Sequence, residues 1–206
     1  MNTYIGDYAA SSGGLITIQG IIPKKEVEFY AYITSFSDNM TSTWNEEQVY
    51  GRQDPIGTFQ NTLRKISLSF DVPAGDLIDA KINLEYINRV KQFMYPAYSS
   101  TGENNASANA LSLSKSPLVR IKFANLIQDQ STNGLLGWIG SFNAAPVIEM
   151  GMFSESKEGV PMLYPKVYTV SIDFTPQHEF DLGYKKDGTP IDSRFTSFPY
   201  DGGFKS

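Results

Sequence analysis

His178 is the single histidine of the 206-residue chain, and acid–base or nucleophilic chemistry would most readily begin with it. A serine–histidine–aspartate arrangement also needs a nucleophile and an orienting carboxylate, and the sequence carries no nucleophile-elbow motif. The adjacent Glu179 would point to the opposite face of a strand. We therefore interpret His178 as a structural or exposed histidine.

Other kinds of reactive site find as little support. The chain has no cysteine, so a metal site would depend on carboxylates alone. Asp187-Gly188 is too short for a calcium loop, and Gly13-Gly14 is not followed by the Lys-Ser/Thr of a phosphate loop. Glu46 and Glu47 are consecutive, so on a strand they would face opposite sides and could not flank one substrate bond. The sequence predicts no catalytic residue, no metal and no cofactor.

Composition narrows the class of protein. The formal net charge is −5, which disfavours binding to a phosphate backbone. No run approaches the roughly 18 apolar residues of a membrane span, and the N-terminus lacks the pattern of a signal peptide. Aromatic residues make up 13% of the chain, a content that suits strands and protein–protein surfaces. We expect a soluble protein that is made inside a cell and kept there until a larger assembly takes it up.

Alternating side chains predict several strands. In residues 64–70, Arg64 shares one face with three apolar residues, Ile66, Leu68 and Phe70. The same alternation appears in residues 15–22, 27–35 and 166–174. Between residues 135 and 152, the group Asn143-Ala144-Ala145-Pro146 predicts a hairpin turn.

One amphipathic helix is predicted over about residues 77–95. Asp76 is suited to the N-cap, Lys91 lies in the last turns and Pro96 would end the helix. The apolar residues that recur at helical spacing are Ile78, Ile82, Tyr86, Val90 and Phe93. One helix on a mostly antiparallel sheet gives a mainly β, α+β fold.

We expect one domain spanning residues 1–206. Residues 1–14 end in Ser11-Ser12-Gly13-Gly14 and are predicted to be a flexible N-terminal arm. Residues 97–116 are predicted to be a long loop, because they are poor in large apolar side chains. Residues 183–206 lack periodicity but contain many aromatic residues. This extended C-terminal arm would either dock on a neighbouring molecule or fold back on its own core.

Residues 43–63 contain an unusual density of side chains with binding capacity. Asp54-Pro55-Ile56-Gly57 predicts a tight turn, since each of these residues suits its place in a type I turn. Loops rich in large polar and aromatic side chains are where contacts with partners concentrate. The candidate contact residues of this stretch are Tyr50, Arg52, Gln53, Asp54 and Phe59. A plain connection between two strands is the alternative.

The same stretch carries a family resemblance. VYGRQDPIGTFQNT (residues 49–62), with the later YPKVYTVSIDFTPQHE (residues 164–179), resembles the tube-initiator or "ripcord"-type structural proteins of contractile bacteriophage tails. Unlike the longer members, this chain leaves no room for a LysM domain.

The resemblance implies an antiparallel β-sandwich or barrel-like sheet of the phage tail-tube type, flanked by one helix. It also implies a homohexameric ring at the junction of tail tube and baseplate, in contact with the tail tube, the hub and inner baseplate proteins. Such a protein would be assembled in the host cytoplasm and reside in the virion. By this resemblance, the five candidate residues would make inter-subunit contacts.

Two alternatives remain. The chain could be the tail tube protein itself. A β-sandwich module for carbohydrate or another ligand would instead use Trp44, Tyr50 and Tyr98 as a stacking platform.

Overall fold

A computed structural model describes residues 15–100, 111–127, 134–157 and 159–200. The predicted N-terminal arm, residues 1–14, lies outside these residues, as do the tip of the predicted 97–116 loop and the last six residues. The strands are β1 Leu15–Gly20, β2 Lys25–Tyr30, β3 Tyr32–Glu47, β4 Ile56–Pro73, β5 Ala97–Ser100, β6 Leu111–Lys115, β7 Val119–Phe123, β8 Leu135–Pro146, β9 Met152–Lys157, β10 Val160–Pro165 and β11 Val167–Pro176. The helix α1 spans Leu77–Phe93, and short 3-10 helices span Ile148–Met150 and Ser193–Ser197.

Seven strands form one antiparallel sheet in the order β2-β1-β7-β8-β11-β4-β3. The pairs β5–β6 and β9–β10 are separate hairpins. The prediction of a mainly β, α+β fold with one helix and an antiparallel sheet is confirmed.

The sheet rolls up so that its two edges approach each other. β2 and β3 lie at opposite ends of the strand order, yet Ala31 alone separates them in sequence. Since successive Cα atoms are about 3.8 Å apart, the two edges must meet at this point. The rings of Phe29 on β2 and Phe70 on β4 lie 5.8 Å apart inside the roll. The prediction of one strand over residues 27–35 is therefore wrong, because the chain passes from one edge of the sheet to the other at Ala31. The predicted alternation of buried and exposed side chains is confirmed for Val27, Phe29 and Ala31, which are all buried.

The core fills this rolled sheet. The strand predictions for residues 64–70 and 166–174 are confirmed in their inward faces, because Ile66, Leu68, Phe70, Tyr168, Val170, Ile172 and Phe174 are all buried. Buried residues from β1, β2, β4, β7, β8, β11 and α1 belong to the same apolar cluster.

Helix α1 begins where the sequence predicts. The side chain of Asp76 accepts the backbone N–H of Asp79 at 2.7 Å, and Lys91 lies in the last turn. The predicted apolar stripe is partly wrong. Val90 and Phe93 are buried, but Ile78 and Ile82 are exposed.

The buried side of α1 instead consists of Ala80, Ile87, Val90 and Phe93. Ala80 is 0% exposed, and the two isoleucines lie two positions to either side of it, which places them on the opposite face of the helix. The ring of Tyr86 meets that of Phe29 edge-on at 6.1 Å.

Two further predictions need correction. Asn143-Ala144-Ala145-Pro146 is not a turn, since these residues continue β8 and pair with β11 as far as Pro146 opposite Tyr168. The predicted loop 97–116 contains the β5–β6 hairpin, in which Ala97 pairs with Lys115 and Ser100 with Leu111. Short side chains fit a pleated strand when backbone pairing supplies the stabilisation, and a propensity argument misses such strands.

Candidate interaction surface

The outer half of the β3–β4 hairpin projects beyond the sheet. β11 pairs with β4 only from Ile66 to Pro73, whereas β3 and β4 continue to pair from Asn39↔Lys65 out to Glu47↔Ile56. Among the described residues, no third strand pairs with this outer part. We call residues 39–65 the arm. At about 3.3 Å per residue, its paired part is about 26 Å long.

The arm carries a bulge and a tight turn. Thr43 pairs with Asn61 and Trp44 with Phe59, so Gln60 is an extra residue on β4. At the tip, the backbone N–H of Arg52 donates to the carbonyl of Val49 at 3.1 Å. Gly51 is the third residue of this turn and has φ +84°, a conformation that favours glycine.

The predicted turn at Asp54-Pro55-Ile56-Gly57 is therefore wrong. Ile56 and Gly57 already belong to β4 and pair with Glu47 and Glu46. Glycine at position 51 can adopt the positive φ, and the turn forms there, within a longer tip loop of residues 48–55.

Apolar side chains of the arm face solvent on both sides. Trp44 and Phe59 lie opposite each other with ring centroids 5.3 Å apart, and they are 54% and 52% exposed. Trp44 lies four residues beyond Met40, which pairs with the inward-facing Arg64, so these aromatic residues continue the core side of the sheet outward. Leu63 projects from the other face and is also exposed. Gly57 lies beside the indole, since a Cβ at this position would be 3.4 Å from Cε3 of Trp44, an ordinary van der Waals contact.

The five predicted contact residues fall into two places. Tyr50, Arg52, Gln53 and Asp54 lie in the tip loop and are exposed, with the side chain of Tyr50 wholly in solvent. Phe59 lies farther along β4, beside Trp44. Within the described ranges, no ion pair joins Arg52 or Asp54 to another residue. The sequence argument missed Met40 and Leu63, whose apolar side chains could be recognised as exposed only once the arm was seen to lack a neighbour.

A buried ion pair lies where the arm leaves the sheet. Arg64 Nη2 donates to Asp38 Oδ2 at 2.6 Å and Arg64 Nε donates to Asp38 Oδ1 at 2.9 Å; the two side chains are 6% and 4% exposed. The hydroxyl of Tyr200 also donates to Asp38 Oδ2, at 2.7 Å. The ring of Phe198 lies 5.1 Å from the Arg64 guanidinium carbon. The alternation of residues 64–70 already placed Arg64 on the inward face, but its partner, 26 positions earlier, could not be inferred.

These contacts shift the pKa values of Asp38 and Tyr200. Burial alone would raise the pKa of Asp38, but hydrogen bonds from Arg64 and Tyr200, with the positive charge of Arg64, outweigh it and hold the pKa below the ordinary value. Burial, followed by the hydrogen bond to Asp38 and the negative charge of Asp38, raises the pKa of Tyr200. The carboxylate therefore stays ionised and the phenol stays protonated around neutral pH.

His178 lies in an aromatic cluster. Its ring stacks on Phe180 at 5.8 Å and meets Phe198 edge-on at 5.0 Å. This packing agrees with the interpretation of His178 as a structural residue. The proposed stacking platform is not assembled on one element, since Trp44 and Tyr50 lie on the arm whereas Tyr98 lies on β5, which pairs with β6.

No group of three or more His, Cys, Asp or Glu side chains that could hold a metal ion occurs in the described part of the chain. None of the helices described here is both long and apolar enough to cross a membrane. The chain gives no match to any protein-family model and no significant match to a curated protein.

Proposed function

We propose that this protein is a structural component of a contractile bacteriophage tail, which forms a homo-oligomeric ring at the junction of tail tube and baseplate. What carries the proposal is the arm: a two-stranded ribbon that is exposed on both faces and lacks a third strand among the described residues. The segment with the closest resemblance to tube-initiator proteins, residues 49–62, forms the tip and outer β4 strand of this arm. The expected neighbours are the tail tube, the hub and inner baseplate proteins.

An arm of this kind has a physical reason to acquire a partner. An isolated two-stranded hairpin is only marginally stable in water, and its unpaired edges can accept another strand. Trp44 and Phe59 are each about half exposed. A large aromatic residue buries roughly 150–250 Å², so covering the exposed halves of both would remove about 200 Å² from water. At 25 cal/mol per Å² this is a gross gain of about 5 kcal/mol.

The tip adds polar groups that could define the orientation of the partner. Arg52 offers five donors in a planar fork, which suits a carboxylate or backbone carbonyls of a neighbouring subunit. Asp54 lies two residues away with the opposite charge, and both side chains are exposed. The shape of the tip turn, which depends on Gly51, would limit the entropy lost on docking.

The direct test is the assembly state of the purified chain and its presence in isolated tails. We expect native mass spectrometry and electron microscopy to show closed rings, and mass spectrometry of tails to find about one ring of copies per tail. Many rings per tail would instead identify the tail tube protein. A chain that stays monomeric and is absent from tails would refute the proposal.

Variants on the arm locate the contact. Trp44→Ser with Phe59→Ser should abolish rings while the rolled sheet keeps its melting temperature, because both side chains lie outside the core. Thr58→Ser with Asn61→Ser is the matched control, since it changes exposed residues of the same arm without removing apolar surface. Normal ring formation by the Trp44/Phe59 variant would remove the arm from the interface.

A further inference from the structure

Residues 177–200, which we call the strap, cover the base of the arm. The backbone N–H of Gln177 donates to the carbonyl of Leu136 at 2.7 Å. Within the described chain, the backbone–backbone hydrogen bonds of residues 178–200 connect residues of the strap to one another. For example, the backbone N–H of Lys185 donates to the carbonyl of Thr189 at 2.7 Å, and that of Ile191 donates to the carbonyl of Gly183 at 3.0 Å.

The strap also has its own internal packing. Phe195 stacks on Phe198 at 5.9 Å, and Tyr184 meets Phe195 edge-on at 5.1 Å. The guanidinium carbon of Arg194 lies 4.9 Å from the centre of the Phe180 ring. A segment whose backbone hydrogen bonds and aromatic contacts are made mainly within itself can move as a unit.

Side chains at both ends of the strap contact the rest of the described chain. Near its start, Glu179 accepts a two-pronged hydrogen bond from Arg120 of β7, at 2.7 and 2.8 Å. At its end, Tyr200 donates to Asp38 and Phe198 lies over Arg64. The second attachment lies at the base of the arm, since Arg64 lies two residues before Ile66, the last position of β4 that pairs with β11.

We propose that the strap is a latch, which fixes the direction of the arm relative to the rolled sheet through the contacts of Phe198 and Tyr200 with Arg64 and Asp38. With the latch closed, an otherwise two-stranded ribbon gains a third contacting element at its base. With the latch open, the arm is a hairpin hinged where pairing with β11 ends. The latch is a property of the single chain and does not depend on the proposed ring. Only a role of the latch in assembly would depend on the ring.

The absence of cysteine from the chain makes the geometry measurable. Gln53→Cys at the arm tip and Asn88→Cys on the exposed side of α1 give two positions for spin labels. In the otherwise unchanged chain we expect a narrow distribution of tip-to-helix distances. Phe198→Ala with Tyr200→Ala should shift and broaden that distribution.

Two further variants separate the latch from general loosening. Tyr200→Phe removes the hydroxyl that donates to Asp38 but keeps the ring, and it should broaden the distribution to a smaller extent. Tyr184→Phe removes a hydroxyl from an exposed strap residue away from the arm and should leave the distribution unchanged. All variants are checked for folding by circular dichroism.

A distribution that stays narrow in the folded Phe198/Tyr200 variant would overturn the proposal. Equal broadening by Tyr184→Phe and Tyr200→Phe would also overturn it, because the hydrogen bond to Asp38 would then not be what fixes the direction of the arm. The measurement is made on single chains below any assembly concentration, so its failure would not bear on ring formation, and a missing ring would not bear on the latch.

Discussion

Removing the buried negative charge of Asp38 at the base of the arm should be among the most destabilising single substitutions in this chain. Arg64, which is 6% exposed, would lose its counter-charge and its hydrogen-bond acceptors in Asp38→Ala. Breaking a buried pair in this way costs about 3–5 kcal/mol. Since a domain is commonly stable by about 5–15 kcal/mol, this is a large share of the total.

The cost should come from the unpaired charge rather than from loss of a favourable pair. Replacing both partners, as in Asp38→Leu with Arg64→Met, removes the two charges together, and such exchanges are often neutral or stabilising. We therefore expect the double variant to recover most of the stability that Asp38→Ala loses.

Urea unfolding followed by far-ultraviolet circular dichroism measures these differences. Glu85→Ala is the control, because Glu85 pairs with Arg89 on the exposed face of α1, and it should cost about 0.5 kcal/mol or less. A loss below about 1 kcal/mol in Asp38→Ala, or an equal loss in the double variant, would refute the reasoning, since a buried unpaired guanidinium costs more than that.

Four other outcomes follow from the structure. Val90→Asp should unfold the domain, at a cost of several kcal/mol, because Val90 is 0% exposed, whereas Ile82→Asp should change the melting temperature little at 39% exposure. The stability difference between the parent and Tyr200→Phe should be constant between the ordinary pKa values of 3.8 for Asp38 and 10.0 for Tyr200. In urea titrations it should decrease as the pH falls through the lowered pKa of Asp38 and as it rises through the raised pKa of Tyr200. His178→Ala should weaken the strap without removing any measurable hydrolytic or transfer activity, and loss of an activity would restore the enzyme hypothesis. Arg52→Ala with Asp54→Ala should leave the melting curve unchanged and stop incorporation into rings or tails. A lower melting temperature with normal incorporation would instead mean that the tip is only a connecting turn and makes no contact with a partner.

Local patterns were sufficient where the structure depends on local rules. The alternation around Ile66 and Val170 predicted both the strands and their buried faces, because side chains alternate on any half-buried strand. The start of α1 was predicted from Asp76, since an N-cap acts through bonds to residues two or three positions away.

The failures occurred where distant residues decide. Ala144 and Ala145 were assigned to a turn, but Val170 and Thr169 of β11 hold them in a strand. The outward rotation of Ile82 depends on which side of α1 meets the sheet. Contacts of this kind come from the strand order, which the sequence does not state.

For the candidate surface, the structure shows only that Tyr50 and Arg52 are exposed, as a contact surface requires. That the segment around Arg52 binds a partner stays a prediction. The arm itself could not be foreseen, because it exists where β11 stops pairing at Ile66. In the C-terminal arm, Phe198 and Tyr200 contact Arg64 and Asp38 of their own chain.

The single residue between β2 and β3 has a consequence for how the chain folds. The hairpins β1–β2 and β3–β4 join residues that are near in sequence, but Ile16 pairs with Phe123 and Phe70 with Val170. Ala31 holds the ends of β2 and β3 together from the start, but the sheet is complete only after β7, β8 and β11 have filled the space between β1 and β4. A sheet with such distant pairings folds slowly, over milliseconds to seconds in comparable β proteins. During synthesis, both hairpins must therefore wait with open edges until the ribosome has made β11, and this interval is when the chain most needs protection from pairing with another copy.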